Sequence, residues 1–147
     1  KYPPFGNRSY GVNRAQAYGF DFDEYVRTWN EDSAFLLQIE SKEAVDNIED
    51  LIAFDEVDGV MIGPYDLSGS LGVPGQLNHP LVIVASKKVI EACYKFKKSC
   101  GTQIADVTKE SLNDLFNQGY TFAILSSDLF ILWKWAERMS DYIKSYK

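Results

Sequence analysis

Long apolar runs are missing from this chain of 147 residues. None approaches the roughly 18 consecutive apolar residues a membrane-crossing helix needs, so no membrane span is expected. Cysteine is scarce. Cys93 and Cys100 are too few for a disulfide framework, and no Cys/His spacing of the zinc kind accompanies the single histidine, His79. Seven residues apart on one helix, the two thiols would be separated by roughly 10 Å of rise, too far to bridge. Both are therefore expected to be reduced and structural. Positive charge is also in short supply: 15 basic residues face 21 acidic ones, for a net charge of −6. Lys95-Phe96-Lys97-Lys98 is a small basic spot that reads as a solvated helix face, so nucleic acid is not an expected partner. The start, KYPPFGNRSYG, has no apolar signal region and no initiator Met. It reads as a cut end, and the charge balance fits a cytoplasmic enzyme.

What the chain does have is a hydrophobic fraction of 46%, enough to build a core. Its length fits one domain spanning residues 1–147. Pro3-Pro4, Gly6 and Asn7-Arg8-Ser9 predict a loop over residues 1–14, and Phe22, Tyr25, Val26 and Trp29 predict a short helix over 22–31. The run AFLLQI at 34–39 has the pattern of a strand buried on both faces. Ser41 then offers an N-cap to a helix over 42–54 with Ala44, Ile48, Leu51 and Ile52 as its stripe. A strand at 58–62 is broken by Gly63-Pro64, and a loop is expected up to residue 79. A helix over 80–98 turns Val82, Ala85, Val89, Ala92, Cys93 and Phe96 inward. The cycle repeats with a strand at 102–107, a helix capped by Thr108 and stopped by Gly119, a strand at 121–125, and a last helix over 129–145. Strict alternation implies parallel strands with right-handed crossovers. Four strands fit either an open doubly wound sheet or half of an eight-stranded barrel.

Two acids stand just past two of these strands: Glu40 after Phe35-Leu36-Leu37, and Asp66 after Val60-Met61-Ile62. Ligands of parallel α/β folds bind at such strand ends. Neighbouring strands lie roughly 4.8 Å apart, so acids at adjacent ends can meet one small hard cation. The alternative reading is structural, with Asp66 as an N-cap and Glu40 facing the next helix start.

Taken together, KYPPFGNRSYG, QIESKEAVDNIEDLI, VDGVMIGPYDLSGSLG and HPLV, in that order and spacing, resemble the HpcH/HpaI family of metal-dependent aldolases. The likeness runs over essentially the whole chain and is strongest at residues 1–11 and 38–80. It implies the C-terminal half, strands five to eight, of a (β/α)₈ TIM barrel of roughly 250 residues. It implies Glu40 and Asp66 as the metal ligands, Gln38 as a contact to the pyruvyl group, and the backbone around Gly63 and Tyr65 as the receiver of its carboxylate. The metal implied is Mg²⁺ or Mn²⁺, with Co²⁺ also admissible. The family's keto-binding arginine and its His–Asp pair belong to the other half, so no residue here is assigned as acid or base, and His79 is no substitute. Two departures stand out. Tyr65 occupies a position where the family often has a small residue, and Ser9 replaces a glycine that permits positive φ. Arg8 fits a site, an interface or a surface ion pair.

The activity implied is reversible cleavage of 4-hydroxy-2-oxo acids to pyruvate and an aldehyde. The metal would stabilise the enolate as a Lewis acid. None of the four strand ends carries a lysine, in keeping with a reaction that needs no Schiff base. Two other readings compete: an acyl-CoA lyase of the same wider fold, and a non-catalytic half-barrel assembly module. Exposed sheet edges predict pairing, either with the missing half-barrel or as a homo-oligomer. Trp133, Trp135 and Met139 fit an interface or a core. Asp128 is expected as a cap, and Ser126 and Ser127 as substrate contacts or loop ties.

Overall fold

The computed structural model of the protein describes residues 2–3 and 6–146, so Pro4 and Phe5 of the amino-terminal motif lie outside the described residues. The chain divides into two compact units, Lys1–Ala34 and Phe35–Lys147.

In the first unit, Asn13 caps a kinked 3₁₀ stretch, Arg14–Gly19, through a reciprocal pair with Gln16. Helix α1, Phe22–Asp32, follows. Aromatic rings hold the unit together: Tyr2 stacks on Tyr10 at 4.2 Å and meets Trp29 edge-on at 4.9 Å. Arg8 lies over the Tyr2 and Trp29 rings at 4.9 and 5.8 Å, which anchors its guanidinium against aromatic faces. Ser9 does not take a positive φ. Among the described residues of this unit, those other than glycine with left-handed φ are Ala17 and Tyr18.

The second unit is built on a four-stranded parallel sheet in the order β1-β2-β3-β4, with β1 Leu36–Ile39, β2 Gly59–Ile62, β3 Ser99–Ile104 and β4 Phe122–Leu125. Between them run α2 (Lys42–Asp46), α3 (Ile48–Ile52), α4 (Pro64–Ser70), α5 (Pro80–Phe96) and α6 (Lys109–Asn117), with α7 (Asp128–Ser145) at the end. The alternation expected from the sequence is present, and all three pairings are parallel. Ile39, Val60, Ile62 and Cys100 face the helices and pack on Ile48, Ile52, Val89 and Cys93. Thr102, on the same side, satisfies its buried hydroxyl by donating to the Ile62 carbonyl at 2.9 Å.

Several expectations are corrected. The β1 strand is not buried on both faces: Leu36 keeps 41% of its surface and Phe35, just ahead of it, 54%. The helix over 42–54 is two short helices, because Asn47 leaves helical geometry at φ −102°, ψ 20°. The loop after Gly63 contains α4, started by Pro64, whose fixed φ suits a first helical position. Strand β3 begins at Ser99, three residues before the expected start, because the Ser99–Gly59 pairing extends it. That early start follows from Lys97, whose left-handed φ of 56° ends α5 and turns the chain back. The two cysteines therefore sit on α5 and β3, not on one helix face. The N-cap of α7 is Ser127, whose hydroxyl accepts the Phe130 N–H, and Asp128 is the first helical residue. His79 caps α5, with Nδ1 accepting the Leu81 N–H at 3.2 Å.

Candidate functional site

The register pairs Ile39 with Ile62, so Glu40 emerges beside Gly63 at the carboxyl end of the β1–β2 pair. Side chains alternate along a strand, which puts Gln38 and Glu40 on one face, away from the buried Ile39. Both reach across the neighbouring strand. A Cβ added to Gly63 would lie 3.2 Å from Gln38 Nε2, 3.2 Å from Glu40 Cβ and 3.3 Å from Glu40 Oε2. Gly63 is thus kept bare by two polar side chains that fill the space over it. Its φ of −94° is ordinary, so the demand for glycine is one of room and not of backbone conformation.

The Gly63 N–H is already taken, donating to the Ile39 carbonyl at 3.0 Å. Pro64 has none to give. The donors left in this turn are accordingly the first-turn amides of α4 at Tyr65 and Asp66, which have no intrahelical acceptor. Asp66 lies inside α4 and not at its cap, since Gly63 holds the N-cap position. Its carboxylate and that of Glu40 are both exposed. The Tyr65 ring is 53% exposed.

Short hydrogen bonds fix the two acid-bearing loops against each other. Ser70 Oγ at the end of α4 accepts the Lys42 N–H, two residues past Glu40, at 2.8 Å. Ser68 Oγ is fully buried, donates to the Tyr65 carbonyl at 2.6 Å and accepts the Gly75 N–H at 2.8 Å. These serines are site-positioning residues that periodicity did not single out. Their signal was the GPYDLSGS stretch itself, where two serines flank a glycine shortly after the acid.

Among the described residues no group of three or more His, Cys, Asp and Glu is placed to hold a metal ion. The acids singled out by the sequence, Glu40 and Asp66, follow the carboxyl ends of the adjacent strands β1 and β2, and the Gln38 amide lies on the same face as Glu40. Two hard oxygen donors with open space around them suit an ion that keeps water or takes its other ligands from substrate, as Mg²⁺ and Mn²⁺ do. The cradle over Gly63 fits such a group, because it holds Glu40 and Gln38 side by side with no side chain beneath them.

The face that carries Gln38 also carries Met61, Gly101 and Phe122 in register, with Leu36 and Ile124 toward its ends. A Cβ on Gly101 would fall 2.3 Å from the Phe122 ring, so that ring lies flat over β3. Gln103 on this face donates to the Ser126 carbonyl at 3.1 Å, and Ser126 Oγ donates to the Ala105 carbonyl at 3.1 Å. Both serines after β4 are therefore used as loop ties and caps.

Among the described residues no helix is long and apolar enough to cross a membrane. A 2-keto-3-deoxy-L-rhamnonate aldolase of Salmonella dublin is 39% identical over 113 residues, which are 74% of this chain and 41% of that protein. Two solved structures share the fold. An HpcH/HpaI aldolase from Desulfitobacterium hafniense DCB-2 superposes with a TM-score of 0.80 at 28% identity, covering 98% of this chain and 56% of that one. An HpcH/HpaI aldolase/citrate lyase family protein from Burkholderia cenocepacia J2315 gives 0.80 at 29% identity, covering 96% and 54%. The chain thus spans about half the length of the proteins it matches, or less. The model of the HpcH/HpaI aldolase/citrate lyase family matches residues 4–134, and the chain belongs to that family.

Proposed function

We propose that the chain is the C-terminal half, strands five to eight, of a (β/α)₈ barrel and carries the metal- and pyruvyl-binding part of a class II aldolase for 4-hydroxy-2-oxo acids. The observation that carries the reading is the cradle at Gly63, where Gln38 and Glu40 share the space a side chain would need, one turn from Asp66. The aldolase names of the relatives supply the reaction class.

In this reading Glu40 and Asp66 hold a divalent cation. When bound, that cation supplies Lewis acidity toward the keto oxygen and so favours the enolate left by carbon–carbon cleavage. The chain's own groups bind and orient. The first-turn amides of Tyr65 and Asp66 receive the pyruvyl carboxylate, Gln38 Nε2 donates to the pyruvyl group, and Gly63, lacking a side chain, leaves Gln38 and Glu40 their places. Tyr65, where the family often has a small residue, stands at the mouth of the site and narrows the acceptor side. The acid and base that serve the 4-hydroxyl come from the other half of the barrel, together with the arginine that binds the keto oxygen.

Association completes the molecule. Strands β1 and β4 are unpaired edges of the sheet. Helix α7 buries none of its residues and exposes Ile131, Leu132, Trp133 and Trp135 by more than half. A first-half barrel or a second copy covers these surfaces.

The test follows pyruvate release from a 4-hydroxy-2-oxo acid with Mg²⁺, using the chain alone and the chain mixed with the first four strands of a related barrel. Release only in the mixture, abolished by chelation, is the expected result. No release under any condition would leave the non-catalytic assembly module as the better reading. Release that needs a CoA thioester would favour the acyl-CoA lyase.

A further inference from the structure

Two hydrogen bonds join the segment that carries Glu40 to the segment that carries Asp66. At the strand end the Gly63 N–H donates to the Ile39 carbonyl at 3.0 Å, and at the far end of α4 the Lys42 N–H donates to Ser70 Oγ at 2.8 Å. Glu40 lies between Ile39 and Lys42, and Asp66 between Gly63 and Ser70. Residues 39–42 and 63–70 therefore close a ring with one acid on each arm. The two closures differ in kind. The first continues the parallel β1–β2 ladder and needs no particular side chain. The second depends on one hydroxyl.

Stability does not call for that hydroxyl. Lys42 is the first residue of α2, so its N–H has no acceptor within the helix. Ser41 caps the helix through the Ala44 N–H and leaves Lys42 unserved. The Ser70 bond lies in the open, where water serves an amide nearly as well and the net worth of a hydrogen bond is small. What the bond does fix is the rotation of α4. Ser70 follows Asp66 by four residues, so the two share one face of the helix. Ser68 ties α4 internally, through the Tyr65 carbonyl at 2.6 Å and the Gly75 N–H at 2.8 Å, so the helix and the loop after it turn as one body. Holding Ser70 against the start of α2 thus turns the Asp66 face of α4 toward the arm that carries Glu40.

We propose that Ser70 is a positioning residue of the metal site: its hydroxyl, by taking the Lys42 N–H, sets the spacing and mutual aim of the Glu40 and Asp66 carboxylates. This role rests on the reading of those two acids as cation ligands. Carboxylates that must be ordered at each binding event hold a cation more weakly than carboxylates already in place, because the ordering cost falls on the binding step. Closing the ring at Ser70 removes that cost beforehand.

The test titrates Mn²⁺ by calorimetry into the chain and into Glu40→Gln, Ser70→Ala and Ser70→Thr, with amide exchange at Lys42 and urea unfolding followed on the same samples. Ser70 is exposed, so alanine there leaves the core intact. Ser70→Ala should speed exchange at Lys42 and weaken Mn²⁺ binding on the order of tenfold while the urea midpoint stays in place. Ser70→Thr keeps the hydroxyl and should recover most of that loss. If Glu40→Gln loses Mn²⁺ while Ser70→Ala binds it as tightly as the unmodified chain, the metal reading stands and the role of Ser70 is overturned. A loss in Ser70→Thr as deep as in Ser70→Ala overturns it too. An affinity that falls only in step with the urea midpoint, or failure of Ser70→Ala to fold, makes the serine structural and has the same consequence. If the unmodified chain binds no Mn²⁺, or Glu40→Gln binds it equally, the metal reading fails and the role of Ser70 fails with it.

Discussion

On the helix side of the sheet Val60 and Ile62 have no exposed surface; on the other side Leu36 and Ile124 keep 41% and 38% of theirs. The same strands build both faces, but only one is finished. The finished face is an ordinary core, with Ile39, Val60, Ile62 and Cys100 packed against α2, α3 and α5. The bare face has Gln38, Met61, Gly101 and Phe122 in one row, and it ends in Glu40. Stability resides on the first, and the proposed chemistry on the second. The division weakens at β4, where Leu125, on the helix side, is 57% exposed because α7 does not cover it.

Substitutions can break or sharpen this contrast. Ile62→Ala removes buried atoms from the finished face and should cost about 2–5 kcal/mol in urea unfolding. Gly59→Ala comes next. Its Cβ would meet the Ser99 carbonyl oxygen at 2.5 Å, a backbone atom that cannot swing away, for a loss of about 1–3 kcal/mol. Gly63→Ala should separate the two roles. Its Cβ presses on Gln38 and Glu40 at 3.2–3.3 Å, so divalent-metal affinity should fall on the order of tenfold by calorimetry while the urea midpoint barely moves. The smallest effect is expected for Leu36→Ser, within about 0.5 kcal/mol. A loss as large as that of Ile62→Ala would mean the bare face is covered in solution, and the contrast would fail.

The sheet was legible because β1, β2 and β4 lie in short apolar runs and helical stripes stand between the strands; AVDNIEDLI and the α5 stripe mark the covered face directly. The candidate site drew attention for a different reason: QIE and GPYDLS stand at strand ends, where parallel sheets bind ligands, and together they resemble the HpcH/HpaI motifs. What was not legible arose from tertiary pairing and local geometry. Ser99-Cys100-Gly101 has little intrinsic strand preference, yet it pairs with Gly59-Val60-Met61 and becomes strand. PYDLSGS looks like loop by propensity, but Ser68 and Ser70 pin it as a helix through bonds to Tyr65, Gly75 and Lys42. The left-handed Lys97 is the least readable feature, since lysine carries no signal for that conformation, and it is what puts Cys93 on α5 and Cys100 on β3. The engagement of the Gly63 N–H by Ile39 likewise follows from register, and it is why the proposed backbone donors are Tyr65 and Asp66.

The central claim is that Glu40 and Asp66 share a divalent metal presented to a pyruvyl group. Its most direct test is calorimetric titration of Mn²⁺, with oxalate as a mimic of the enolate, into this chain and into Glu40→Gln. The account predicts binding by the chain that the variant loses, by on the order of 100-fold or more in affinity. Equal binding by both, or none by either, would contradict it.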